Sequence, residues 1–98
     1  MNIGSAIKKA RTDKGYSQGD FAEQCGISQT SISQIENGIK KPNPTNLKKI
    51  CKVLEVPETI LYLYGIEESD IPKQKKKLYK LIYPNIQDMI KKLIVEKF

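Results

Sequence analysis

Apolar side chains recur along residues 1–65 at the three- and four-residue spacing that places them on one face of an α-helix. Glycine or proline interrupts this pattern four times, so it predicts five short helices rather than one long helix. The predicted inner faces hold Ile3, Ala6, Ile7 and Ala10; Phe21, Ala22 and Cys25; Ile32 and Ile35; Leu47, Ile50, Cys51 and Leu54; and Ile60, Leu61 and Tyr64.

Start and stop signals agree with these five segments. Ser17, Ser28 and Asn43 each precede a predicted helix, where a side-chain oxygen can accept a hydrogen bond from the first turn. Glycine adopts positive φ without steric cost and therefore ends helices readily. The predicted stop signals of the first three helices are Gly15, Gly26 and Gly38.

The C-terminal third has a different pattern. Residues 66–72 form a predicted acidic connector, and residues 73–83 and 85–98 are amphipathic helical stretches that Pro84 separates by a kink or break, with Asn85 capping the second. The stripe on the second stretch is too apolar to leave bare on a small monomer. It suits a second copy of the chain, the chain's own domain or a membrane surface, and we favour homodimerisation. The predicted dimer contacts are Ile86, Met89, Ile90, Leu93 and Ile94.

The third predicted helix, roughly residues 29–37, has a narrow apolar seam and an outward face of amides and hydroxyls. Such a face covers a core poorly, but glutamine can form a paired hydrogen bond with adenine, and threonine can meet a polar base edge or the thymine methyl. An isolated polar helix is more often a solvated surface. Here a second helix precedes it across a short turn at Gly26, which is the helix-turn-helix arrangement.

Composition narrows the function classes. The net charge of +6 favours a polyanionic partner, and no apolar run is long enough to span a membrane. Cys25 and Cys51 fall on apolar stripes and are interpreted as buried structural thiols. Without histidine, a phosphate-cradling glycine loop or a catalytic carboxylate pair, the chain is not expected to be an enzyme. We expect a cytoplasmic protein without metal or cofactor.

Three runs, YSQGDFAEQCGIS, QTSISQIENG and KKPNPTNLKKICKVLEV, resemble the phage repressor/Cro (XRE) helix-turn-helix family. The resemblance covers about residues 3–64 and implies an all-α, five-helix, lambda-repressor-like domain that binds operator DNA as a dimer. The expected organisation is a DNA-binding domain over residues 1–65, a connector over 66–72 and a helical extension over 73–98.

The resemblance also implies roles for individual residues. Base contacts fall on Gln29, Thr30 and Gln34, with Ser33 a weaker candidate on the same side. Arg11 and Glu36 match an ion pair that ties the first helix to the third. The predicted phosphate contacts are Gln18, Ser31, Asn37, Lys40 and Lys41.

One departure from common DNA readers is that the outward face of the third helix has no Arg or Lys, the usual partners of guanine. The hypothesis is therefore that specificity rests on A·T pairs and thymine methyls. The predicted function is a transcriptional regulator, with repression as the default, on double-stranded DNA. The alternative is an antitoxin or a protein-interaction module that reuses the helix-turn-helix fold with a protein partner.

Overall fold

A computed structural model describes residues 1–96, in which the regular structure is helical throughout. Single 3-10 turns at Glu68–Asp70 and Lys73–Lys75 precede the last helix. The expected fold class, a five-helix all-α domain with a helical extension, is confirmed. The helices are α1 (Ile3–Asp13), α2 (Gln18–Cys25), α3 (Gln29–Glu36), α4 (Pro44–Leu54), α5 (Glu58–Tyr64) and α6 (Lys76–Val95).

The predicted caps of α2, α3 and α4 lie where the sequence placed them. The Ser17 and Ser28 hydroxyls each accept a hydrogen bond of 3.1 Å, from the third backbone N–H of α2 and of α3 respectively. Asn43 Oδ1 accepts one of 2.7 Å at the start of α4. Gly26 ends α2 with φ +67°, a left-handed conformation that glycine adopts without strain. Gly26 and the Ser28 cap together fix the short turn between α2 and α3.

Side chains of all five domain helices meet in one core. The large residues with under 2% exposure include Ile7, Phe21, Ile32, Ile35 and Leu61, all predicted inner-face positions. The two cysteines are buried free thiols, and burial raises the pKa of each to about 11. Their predicted place on apolar faces is therefore confirmed.

Helix α6 runs through Pro84 without interruption, so the predicted break and the predicted cap at Asn85 are wrong. Proline lacks one N–H and crowds the carbonyl four residues earlier, which weakens a helix at one point. Here Tyr83 and Ile90, on either side of the proline, are buried against the rest of the protein. Their packing holds both halves of α6 in place. No helix in the described residues is both long and apolar enough to cross a membrane.

The predicted dimer stripe on α6 divides between two faces. Ile90 and Ile94 are 4% and 2% exposed and belong to the chain's own core, with Ile86 packed at its edge. Met89 and Leu93 are 69% and 50% exposed. The assignment of Ile90 and Ile94 to a dimer contact is thus corrected, because α6 turns these two side chains towards its own domain.

Ion pairs and a hydrogen bond hold the connector and α6 against the five-helix domain. The N-terminal ammonium of Met1 forms ion pairs with Asp70 and Glu67 at 2.5 and 3.2 Å. Tyr83 Oη of α6 donates a hydrogen bond of 2.7 Å to the Leu63 carbonyl of α5. The C-terminal third is therefore docked on the five-helix domain.

Candidate nucleic-acid interface

The outward face of α3 presents the four predicted base-contacting side chains together. Gln29 and Thr30 are exposed, while Ser33 and Gln34 are half-buried. With Gln18 from the start of α2, they line one shallow polar recess. The structure therefore brings together every side chain to which a base-contacting role was assigned.

Gln29 lies close to the first turn of α2, beside Gly19. A Cβ atom added at Gly19 would lie 3.4 Å from Gln29 Oε1. That distance is an ordinary van der Waals contact, so the Gln29 amide lies directly beside the first turn of α2. Gly19 has no predicted role, since this contact joins two helices and no local sequence pattern indicates it.

Behind the recess, the predicted ion pair between Arg11 and Glu36 is present and buried. Arg11 Nε and Nη2 donate to the two oxygens of Glu36 at 2.7 and 3.1 Å. Arg11 Nη1 donates to the Tyr16 carbonyl at 2.8 Å, so the guanidinium also fixes the turn that enters α2. A buried ion pair with these three hydrogen bonds holds α1, α3 and the α1–α2 turn in one geometry.

Gln18 joins the same network. Its Nε2 donates to Glu36 Oε1 at 3.1 Å. An amide nitrogen carries two hydrogens, so one remains for an external acceptor such as a phosphate oxygen. The network thus fixes the orientation of a predicted phosphate contact, a link that sequence spacing could not predict.

Gly4 sets the distance between α1 and α3. A Cβ atom there would lie 2.1 Å from the Ile35 carbonyl oxygen, far inside any allowed contact. Only glycine therefore permits this approach of the two helices, which places Arg11 within reach of Glu36. No sequence pattern predicts this requirement, because the contact is between segments distant in the chain.

The remaining predicted phosphate contacts lie on α3 and on the loop that follows it. Lys40 Nζ donates to the half-buried Ser31 Oγ at 3.1 Å. Asn37 and Lys41 are exposed, and Asn37 Nδ2 reaches Ser33 Oγ at 3.4 Å. The loop therefore brings positive charge against a helix that has none of its own.

The charge distribution of α3 suits contact with an anion. Glu36 is its only acidic residue, and that carboxylate is buried against Arg11. The outward face is neutral, and Lys40 and Lys41 follow it in the loop. No carboxylate on α3 itself faces outward to repel a phosphate backbone.

A helix pair α2–α3 joined by a tight glycine turn, with a polar second helix anchored from behind, defines a helix-turn-helix protein. The helix-turn-helix family model matches residues 7–61 of the chain, more than half of its length. The chain belongs to the XRE-type helix-turn-helix family, a class of DNA-binding transcriptional regulators.

Curated relatives carry names of the same class. An HTH-type transcriptional regulator of Mycobacterium tuberculosis is 37% identical over 60 residues, covering 61% of this chain and 43% of its own length. The HTH-type transcriptional activator BcrR of Enterococcus faecalis is 34% identical over 94 residues, covering 92% and 46%. The HTH-type transcriptional regulator ImmR of Bacillus subtilis is 29% identical over 89 residues, covering 91% and 68%. The chain spans less than half the length of the first two.

Proposed function

We propose that this chain binds double-stranded DNA sequence-specifically by placing the start of α3 in the major groove. The observation that carries the proposal is the position of Gln29, Thr30, Ser33 and Gln34 in one outward recess. A helix held rigidly from behind can present amides and hydroxyls to base edges with little loss of side-chain entropy.

Gln18, Ser31, Asn37, Lys40 and Lys41 contact phosphates and set the position of α3 on the duplex. Support comes from the buried network that orients Gln18 and from the exposure of the two lysines. Phosphate contacts of this kind supply affinity without sequence preference and make binding dependent on salt.

The preferred half-site contains A·T pairs at the positions that α3 contacts. Gln29 and Gln34 each offer a donor and an acceptor side by side, which match adenine N6 and N7. The described outward face of α3 has no Arg or Lys to pair with guanine. Lys40 and Lys41 follow the helix in the loop and contribute to affinity alone.

The protein acts as a homodimer on two half-sites and represses by occupying a promoter. One recognition helix contacts only a few base pairs, so specific affinity generally requires two half-sites about one helical turn apart. Met89 and Leu93 remain exposed on α6 and are available to a second copy. Repression requires nothing of the protein beyond occupancy.

The test is selection of bound duplexes from a random pool with the full chain, followed by gel shifts over a salt series. We expect A·T-containing half-sites in a two-fold arrangement and a steep fall of affinity with salt. G-rich half-sites contacted through α3 would contradict the assigned base preference. Without enrichment and without salt dependence, the protein-interaction or antitoxin alternative would replace the proposal.

A further inference from the structure

Helix α6 has a second apolar stripe besides the one in its own core. Leu78, Ile82, Met89 and Leu93 are 55%, 45%, 69% and 50% exposed. Their spacings of four, seven and four residues place them on one side of the helix. A continuous exposed stripe of large apolar side chains on a small protein indicates a protein contact.

The stripe is symmetric about the middle of the helix. The midpoint of Lys76–Val95 lies between Asn85 and Ile86. Leu78 and Leu93 are equally far from it, and so are Ile82 and Met89. A second α6 laid antiparallel across this point would therefore place Leu78 against Leu93 and Ile82 against Met89.

Two apolar recesses lie beside the stripe and share Leu63 and Ile86. One, of about 280 Å³, includes Leu78 and Ile82, and the other, of about 400 Å³, includes Met89 and Leu93. A two-fold axis through the helix midpoint places the N-terminal half of each α6 against the C-terminal half of the other. Each copy's Met89 and Leu93 would then face the first recess of the other, and its Leu78 and Ile82 would face the second.

Charge separates the antiparallel from the parallel arrangement. A parallel pair in register would set Lys75 against Lys75 and Lys92 against Lys92 of the other copy. The antiparallel pair sets Lys75 against Glu96, which are both exposed and lie just outside the two ends of the helix. The antiparallel pair also places Lys92 opposite Tyr79 of the other copy, away from the other copy's Lys92. The antiparallel pair therefore places opposite charges at both ends of the contact, where the parallel pair would place like charges.

Asn85 is the polar residue near the centre of the stripe. Next to a two-fold axis, the Asn85 amides of the two copies approach each other and can form hydrogen bonds with one another. A single polar residue in an apolar helix interface specifies register at a cost in stability, because every shifted register leaves it unpaired.

We propose that two copies of this chain associate through an antiparallel α6–α6 contact with its axis at Asn85 and Ile86. The inference rests on the dimer in the proposed function and assigns its interface. It replaces the contact through Ile90 and Ile94 with one through Leu78, Ile82, Met89 and Leu93.

Disulfide cross-linking of full-length variants tests the direction of the contact. Leu78→Cys and Leu93→Cys are made separately, with a size tag on one chain, and are oxidised alone and after mixing. The chain without added cysteine is the control, since Cys25 and Cys51 are buried. A cross-link between the two different chains only in the mixture supports the proposal. Cross-links in either variant alone would show a parallel contact, and no cross-link in any sample would exclude α6 pairing; both overturn it.

Sedimentation and DNA binding separate this inference from the proposed function. Met89→Glu places a charge in the contact and is expected to weaken dimerisation roughly 100-fold. Val95→Glu is the matched control, because Val95 is 48% exposed but lies off the stripe. Unchanged dimerisation of Met89→Glu overturns the inference while leaving DNA recognition intact. If Met89→Glu is monomeric and still prefers the same half-site with lower affinity, both proposals are supported. If the unsubstituted chain dimerises but does not bind DNA, only the proposed function fails.

Discussion

Helices α3 and α6 bury one face in the same protein and differ in what the other face presents. Ile32 and Ile35 hold α3 from behind, as Ile90 and Ile94 hold α6. On its outward face α3 has amides and hydroxyls, which form hydrogen bonds. The outward face of α6 instead has apolar side chains, whose exposure to water is unfavourable. The comparison shows that similar anchoring can present two chemically different surfaces, which we propose contact a nucleic acid and a second copy of the chain.

The largest expected effect comes from removing the anchor of α3. Glu36→Ala leaves the Arg11 guanidinium buried without its carboxylate and should reduce the free energy of unfolding by about 3–5 kcal/mol. Gln18 loses its partner as well, so DNA affinity should fall in the folded fraction. Urea denaturation measures the first effect. Asp88→Ala is the control, since it breaks the exposed Asp88–Lys92 pair and should change stability by about 0.5 kcal/mol or less.

The next effect concerns the anchor of α6. Ile94→Ala removes a buried side chain and should cost about 2–5 kcal/mol of unfolding free energy. Leu93→Ala, one residue earlier and half exposed, should change the stability of the monomer little but weaken dimerisation. Urea denaturation at a concentration where both variants are monomeric makes the comparison. Equal losses of stability would show that the two faces of α6 are not distinct.

On the outward face of α3, Gln29→Ala should cost about 1–3 kcal/mol of specific binding and relax the preference at one base position. Stability should hardly change, because the side chain is exposed. Gln24→Ala is the matched control: Gln24 is exposed on α2 but does not line the polar recess. Selection with each variant gives the readout, and equal specificity in both would remove Gln29 from the base contacts.

The smallest effect is expected beside α3. Lys40→Ala should weaken binding to all sequences alike and lower the slope of log affinity against log salt by about one unit. Lys48→Ala on α4 serves as the control, as an exposed lysine outside the proposed contacts. Gel shifts at several salt concentrations measure both. A change of sequence preference in Lys40→Ala would mean that this residue contacts bases.

Local signals predicted most of the DNA-binding domain. Ser17, Ser28 and Asn43 act through hydrogen bonds to the next turn, and the helical spacing of apolar residues reports burial directly. Helix α6 was predicted less well: proline disfavours a helix interior, yet burial of side chains on either side of Pro84 outweighs that preference. Glu55 ends α4 in a left-handed conformation with φ +59°. This cap was not predicted, because glycine is the residue that usually indicates such a position.

The sequence by itself determined the helices of the domain, their caps and the polar chemistry of α3, because these depend on residues within one or two turns of each other. Tertiary structure alone decided that Gly4 lets α1 approach α3, that Glu36 orients Gln18, and that α6 divides its apolar residues between two faces. Each of these is a contact between segments distant in the chain. No local pattern encodes such a contact, since its energy depends on where the rest of the protein places the partner.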